Sequence, residues 1–316
     1  GSASSSSAAA SIIRRSAGQV GSISSPPARA APAREAMRTA QKIAAAKLAY
    51  RAIHGLRALG GRGDETVVTR HGIRYALDLA QGIDFAIYLF GQFEPATAAA
   101  YARHLRPGAT VLDIGANIGA HSLRLAQCVG PGGRVIACEP TAYGCDKLGR
   151  NLALNPALAP RVDLIQCFLG ARDEAAVVDR IYARWPLAGG QELHKKHLGE
   201  AMPTAGAVTR RLDTLLAERG RPRVDFVKLD VDGYECEVLA GATEMMARDR
   251  PVFVLELSRY VLEERGASLA RLLDHFLPLG YRFYRERGEA PLPHSAADLA
   301  RMIGDGSSIN AIARVG

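Results

Sequence analysis

The feature that most limits what this chain can fold into lies between residues 109 and 119. The apolar run Ala109–Ile114 passes straight into a turn, so that the order reads Asp113-Ile114-Gly115-Ala116-Asn117-Ile118-Gly119. The run follows Pro107-Gly108, and its apolar, β-branched character predicts a short buried strand. Gly115 and Gly119 let the backbone turn tightly and approach a ligand where a Cβ would collide. A helix predicted over Ile118–Val129 would present its unpaired N–H groups to the same space. A strand, a glycine turn and a helix in that order belong to a doubly wound sheet. In such sheets ligands sit beyond the carboxyl ends of the strands, where strand order reverses.

The rest of the chain repeats the alternation. Glu65–Arg70 and Ile73–Leu79 predict a hairpin, and Glu94-Pro95 opens a helix that runs to His104. Strands are predicted at Arg134–Cys138, Val162–Cys167, Phe226–Leu229 and Val252–Leu255. Helices are predicted near Tyr143–Leu154, Cys236–Ala247 and Ser268–Leu279, and Tyr281–Arg285 and Ile309–Ala313 read as closing strands. Repeated βα units predict an α/β sheet with helices on both faces.

Charge restricts the partners. The net charge of +8 lies in residues 1–60, which hold nine bases and one acid, while the remaining 31 bases balance 31 acids. A neutral body has no general field for a polyanion, which argues against nucleic acid as the substrate. Residues 1–33, rich in Ser, Ala, Gly, Arg and Pro, predict a disordered tail. Residues 34–64 predict a basic helical extension whose alanine-rich face packs on its own domain or on a neighbouring subunit. No apolar run reaches the roughly 20 residues of a membrane-spanning helix, so no integral membrane association is expected. Five cysteines without a CxxC pair point to a reducing compartment, hence a cytoplasmic location, and to no zinc ribbon.

The spacing of the turn bears on its ligand. A dinucleotide fingerprint places glycine where Asn117 stands, and Asp113 at the strand end would repel a pyrophosphate. A carboxylate there suits a ligand with a cationic portion, and S-adenosylmethionine carries an ammonium and a sulfonium. Glu139, twenty residues beyond Gly119, ends the second strand and can accept both ribose hydroxyls, as its equivalent does in dinucleotide sites.

Gly91-Gln92-Phe93-Glu94-Pro95, the stretch Leu105–Gly119, Val135–Pro140, Arg211-Leu212-Asp213-Thr214-Leu215 and Phe226–Gly241 together resemble the FkbM-type family of S-adenosylmethionine-dependent class I methyltransferases. The resemblance covers about residues 65–314. It implies a Rossmann-like seven-stranded sheet, six strands parallel and one antiparallel, and methyl transfer onto a hydroxyl of a small acceptor such as a sugar or secondary metabolite. It also sets Glu94 near the cofactor. Asp232 stands where the family most often has Glu, and Tyr234 where a small residue is common.

The expected cofactor residues are therefore Glu94, Asp113, Gly115, Ala116, Asn117, Gly119, His121, Glu139, Pro140, Phe168 and Asp230. His121 either touches the cofactor carboxylate or is an ordinary helix histidine. Phe168 either contacts adenine or belongs to the core. A neutral alcohol needs a general base, and Asp230, at the end of the fourth strand, is the leading candidate, followed by Asp232. His194 and His197, in a loop read as a flap within residues 171–209, are further catalytic candidates. Lys228 shares strand parity with Asp230 and either pairs with it or contacts the acceptor. Asp230, Asp232 and Glu256 lack a clear ligand spacing, so no metal is assigned. Two other readings compete with methyl transfer: a nicotinamide-dependent oxidoreductase, and a non-catalytic nucleoside-binding module in an assembly.

Overall fold

A computed structural model describes residues 39–190, 193–195 and 198–316. The tail predicted over residues 1–33, the start of the extension at residues 34–38 and His197 lie outside them. Helix α1 (Thr39–Leu59) precedes a hairpin of β1 (Glu65–Arg70) and β2 (Ile73–Asp78). Helices α2 (Gly82–Phe90) and α3 (Pro95–His104) lead into β3 (Thr110–Ile114), α4 (Ser122–Val129), β4 (Arg134–Cys138), α5 (Ala142–Ala153) and β5 (Val162–Ile165). Four short strands follow, β6 (Cys167–Leu169), β7 (Arg180–Arg184), β8 (Glu200–Pro203) and β9 (Val208–Arg210), then α6 (Leu212–Glu218). The remainder comprises β10 (Phe226–Leu229), α7 (Glu235–Ala240), α8 (Thr243–Asp249), β11 (Val252–Leu257), α9 (Arg259–Glu264), α10 (Leu269–Phe276), β12 (Tyr281–Arg285), α11 (Ala296–Ile303) and β13 (Ile309–Val315).

The seven-stranded sheet has the order β12-β13-β11-β10-β3-β4-β5. Strand β13 runs antiparallel to both β11 and β12, while the pairs from β11 to β5 are parallel. Six strands thus share one direction and one opposes them, the Rossmann-like arrangement expected. Side chains alternate between its faces. Val111, Val135, Phe226 and Val254 join a core with Phe85, Tyr101 and Leu125. Leu112, Ile136, Val227 and Phe253 join another with Leu215, Leu239 and Phe276 on the opposite face. Strand order reverses between β3 and β10, so the ends of those strands define the switch point.

Beyond small shifts at element ends, three predicted elements differ. The helix expected from Ile118 begins at Ser122, because Asn117 (φ 46°) and Gly119 (φ 84°) are left-handed and the turn occupies the intervening residues. The strand expected over Val162–Cys167 ends at Ile165; Cys167–Leu169 leaves the main sheet and pairs with β9. The helix expected over Cys236–Ala247 is two helices. At the break, a Cβ on Gly241 would lie 2.2 Å from the Gly170 carbonyl oxygen. The buried Asp213 carboxylate restarts the chain as α8 by accepting from the Glu244 and Met245 N–H groups at 3.0 and 2.9 Å.

Candidate active site

The ends of β3 and β10 touch. Asp230 N donates to the Ile114 carbonyl at 3.1 Å, and a Cβ on Gly115, whose φ is 84°, would fall 1.9 Å from the Asp230 carbonyl oxygen. Glycine is thus required at 115 for the two strand ends to meet. They open onto a cavity of about 580 Å³, within the usual size of small-molecule sites. Four of its lining residues, Glu94, Asn117, Leu198 and Asp232, have positive φ without being glycine. Such backbone strain concentrates where a scaffold holds groups for function.

Glu139 lies at the end of β4, 2% exposed. Its Oε2 accepts from Asn117 N at 2.9 Å, and its Oε1 accepts from Thr141 N at 3.0 Å and from the Thr141 hydroxyl. Burial raises its carboxyl above the ordinary range, against the lowering effect of these donors. Asn117 also reaches away from the turn, donating from Nδ2 to the Ala183 carbonyl of β7 at 3.0 Å. Its Oδ1 is buried and has no hydrogen-bond partner.

The floor of the cavity is charged. Lys228, 3% exposed, stands beside Asp113 in the β10–β3 register and pairs with Asp230 Oδ2 at 2.9 Å. Burial would lower its ammonium, but Asp230, Asp113 and Glu94 raise it overall. Glu94 caps α3 from the left-handed region and lies 3.2 Å from His121 Nε2 and 3.1 Å from Asn310 Nδ2. Burial works to raise Glu94, yet His121, Lys228 and Asn310 bring it down to about 2. Tyr101, buried, holds His121 Nδ1 at 2.6 Å. Asp232 and Glu256 also line the cavity. Burial, and then the Asp230 charge, pushes both carboxyls well above their usual range.

Of the residues predicted for the site, Glu94, Gly115, Ala116, Asn117, His121, Glu139, Pro140, Phe168, Asp230 and Asp232 surround this one space. Asp113 and Gly119 do not line it. Asp113 lies beneath the wall, fully buried, where Oδ2 accepts from the Ser122 hydroxyl at 2.5 Å. Gly119 is a packing glycine, since a Cβ there would come 2.3 Å from Leu148 Cδ1. His121 is a buried network residue rather than an exposed helix histidine. Phe168 packs edge-on against Tyr234 with centroids 5.1 Å apart. His194 stands off the cavity wall, its Nε2 3.0 Å from Glu264 Oε2 and its ring 5.1 Å from that of Tyr182. The segment read as a flap contains the antiparallel pair β7–β8 and is tied down, with Gly82 N donating to the Trp185 carbonyl at 2.8 Å. Among the described residues no group of three or more His, Cys, Asp or Glu side chains is arranged to hold a metal, and no helix is long and apolar enough to cross a membrane.

Sequence reasoning missed the supports of Glu94. Asn310 is 216 residues away, and no local pattern signals that contact. It also missed α2, four of whose residues line the cavity; the absence of any polar stripe in residues 82–90 was the available signal.

The arrangement suits S-adenosylmethionine. The Gly115 turn leaves room for close approach, Glu139 offers a buried carboxylate for ribose hydroxyls, and Asn117 Oδ1 is an unpaired buried acceptor. The carboxylates of the floor complement a ligand that brings positive charge.

Residues 113–283 match the family described as Methyltransferase FkbM domain. The chain is similar to the methyltransferase sdnD of Sordaria araneosa, 30% identical over 158 residues, 42% of this chain and 60% of that protein. It is also similar to the 2-O-methyltransferase NoeI of Sinorhizobium fredii, 27% identical over 179 residues, 54% of this chain and 71% of that protein. The 31-O-demethyl-FK506 methyltransferase FkbM of Streptomyces tacrolimicus is 31% identical over 175 residues, 47% of this chain and 66% of that protein. The chain therefore spans between 60% and 71% of the length of these relatives.

Proposed function

The chain belongs to the FkbM family of methyltransferases, and on that premise we propose that it methylates a hydroxyl of a small acceptor, with S-adenosylmethionine as donor. The observation that supports this reading is the meeting of Gly115 and Asp230 at the switch point, which brings the glycine turn and a paired carboxylate onto one cavity. Two of the relatives bear O-methyltransferase names, which supports oxygen as the methylated atom.

When bound, S-adenosylmethionine supplies an electrophilic methyl carbon, whose carbon–sulfur bond breaks as a carbon–oxygen bond to the acceptor forms. Gly115, Ala116 and Asn117 would hold the donor at the turn, and Glu139 would accept its ribose hydroxyls. Asp230 would take the acceptor's hydroxyl proton, a role worth roughly 10²–10⁴-fold in rate. Lys228 fixes that carboxylate from below. Asp232, whose carboxyl is pushed well above its usual range by burial and then by the Asp230 charge, would face the acceptor beside Asp230. Glu94 and His121 brace the wall next to the turn. His194, paired with Glu264 and packed beside the cavity-lining Tyr182 and Tyr260, is given no part in this scheme. Enclosure and orientation of two reactants contribute most of the remaining acceleration, about 7–11 kcal/mol at best.

The test is calorimetric binding of S-adenosylhomocysteine, compared with NAD, followed by a mass-spectrometric search of acceptor extracts for products heavier by one methylene. Tight binding of NAD without S-adenosylhomocysteine would reverse the reading in favour of an oxidoreductase. Donor binding without any methylated product would favour a binding module.

A further inference from the structure

We propose that the acceptor presents its hydroxyl from an extended apolar body, seated on the face of α2 that lines the cavity; this rests on the methyl-transfer reading above. Helix α2 has the sequence GIDFAIYLF and one charged side chain, Asp84. That charge is turned away from solvent, 1% exposed, accepting from Asp78 N at 2.8 Å and pairing with Lys147. Phe85 and Ile87 are buried in the core. Ile83, Ala86 and Phe90 are three and four residues apart, so they share a face, and all three line the cavity.

A helix with no polar face is ordinarily covered on every side. Here one side meets the core and another meets the cavity, where Phe90 is left 70% exposed. Trp185 and Leu187, also cavity residues, are strapped to the start of α2: Gly82 N donates to the Trp185 carbonyl at 2.8 Å and Leu187 N to the Ala80 carbonyl at 2.7 Å. The cavity is therefore divided by chemistry. Its carboxylates come from the strand ends and from Glu94 at the start of α3, whereas the region built by α2 and the segment after β7 offers hydrocarbon. A bare glycan placed there would leave hydroxyls without partners, while a methylene chain gains from leaving water. Helix α2 also precedes the segment that matches the family, residues 113–283.

The experiment titrates the full chain, saturated with S-adenosylhomocysteine, with linear primary alcohols from butanol to decanol. Affinity is expected to tighten about fourfold per added methylene until the apolar face is filled. Ala86→Trp, which fills that face, is expected to abolish the gradient while S-adenosylhomocysteine still binds. Should that variant not fold, Phe90→Glu is expected to flatten the gradient from the exposed end. An affinity independent of chain length in the unaltered chain, or a gradient unchanged in a folded variant, overturns the proposal. Failure of the unaltered chain to bind S-adenosylhomocysteine would instead overturn the methyl-transfer reading, so the two failures are told apart.

Discussion

The Asn117 backbone N–H donates to Glu139 Oε2 at 2.9 Å, which ties the turn after β3 to the end of β4. Glu139 thus acts twice, as the proposed ribose acceptor and as the partner of two backbone N–H groups. Glu139→Ala is expected to weaken S-adenosylhomocysteine binding at least ~10-fold and to cost about 1–3 kcal/mol of stability, since buried donors lose their partner. Glu139→Gln, which retains one acceptor oxygen, should lose less of both. Calorimetry and urea unfolding check the pair; a Glu139→Ala chain with unaltered affinity would remove Glu139 from the donor site.

Asp230 separates chemistry from binding. Asp230→Asn keeps the size of the side chain and removes the proton acceptor, so turnover is expected to fall roughly 10²–10⁴-fold. Affinity for S-adenosylhomocysteine should change little. Turnover close to that of the unaltered chain would show that another group takes the proton.

The two glycines of the turn should respond differently. Both have φ 84°, so alanine strains the backbone at either position. At Gly119 the new Cβ meets Leu148 Cδ1, the end of a side chain that can move. At Gly115 it meets the Asp230 carbonyl oxygen, which β10 holds in place. Overpacking typically costs about 1–3 kcal/mol. Once the cost of Leu148→Ala alone is subtracted, that change is expected to lessen the loss in Gly119→Ala and to leave the loss in Gly115→Ala unaltered. Equal rescue of both, measured by thermal unfolding of the double variants, would contradict the assignment of Gly115 as the strand-end contact.

Glu235 governs part of the pH dependence. It is 3% exposed, and its Oε1 accepts from Val231 N and Gly233 N at 3.3 Å. Burial, opposed by those backbone hydrogen bonds, raises its pKa from 4.5 to about 7. The folded chain therefore keeps a proton that the unfolded chain releases. The resulting stability is fully present below pH 4.5, declines as pH rises, and is lost above about 7. Its order is ~3 kcal/mol. Glu235→Gln, uncharged and of the same shape, is expected to reduce the loss between pH 5 and pH 8 by that order. Identical losses for the variant and the unaltered chain, read by urea unfolding, would refute this.

Local sequence carried the alternation of strands and helices, because burial on both faces of a parallel sheet demands short apolar runs and glycine turns mark their ends. Asp113 shows where that reading stopped. An acid at a strand end can face a ligand or the interior, and only its neighbours Ser122 and Lys228, from α4 and β10, place it beneath the wall. The break at Gly241 was equally hidden, since its cause is the backbone of Gly170, more than 70 residues earlier. His194, promising for its chemistry, is held by Glu264 of α9.

By itself the sequence determined the doubly wound class, the glycine turn and the chemistry of the acids at the strand ends, since hydrophobic period and turn residues act over a few positions. Tertiary structure alone decided which of those acids share the cavity and which lie behind it. It also set the apolar face of α2 against them. Those outcomes depend on which strands become neighbours, and Asp113, Lys228 and Glu94 become one charged group only after chain segments far apart in sequence have packed together.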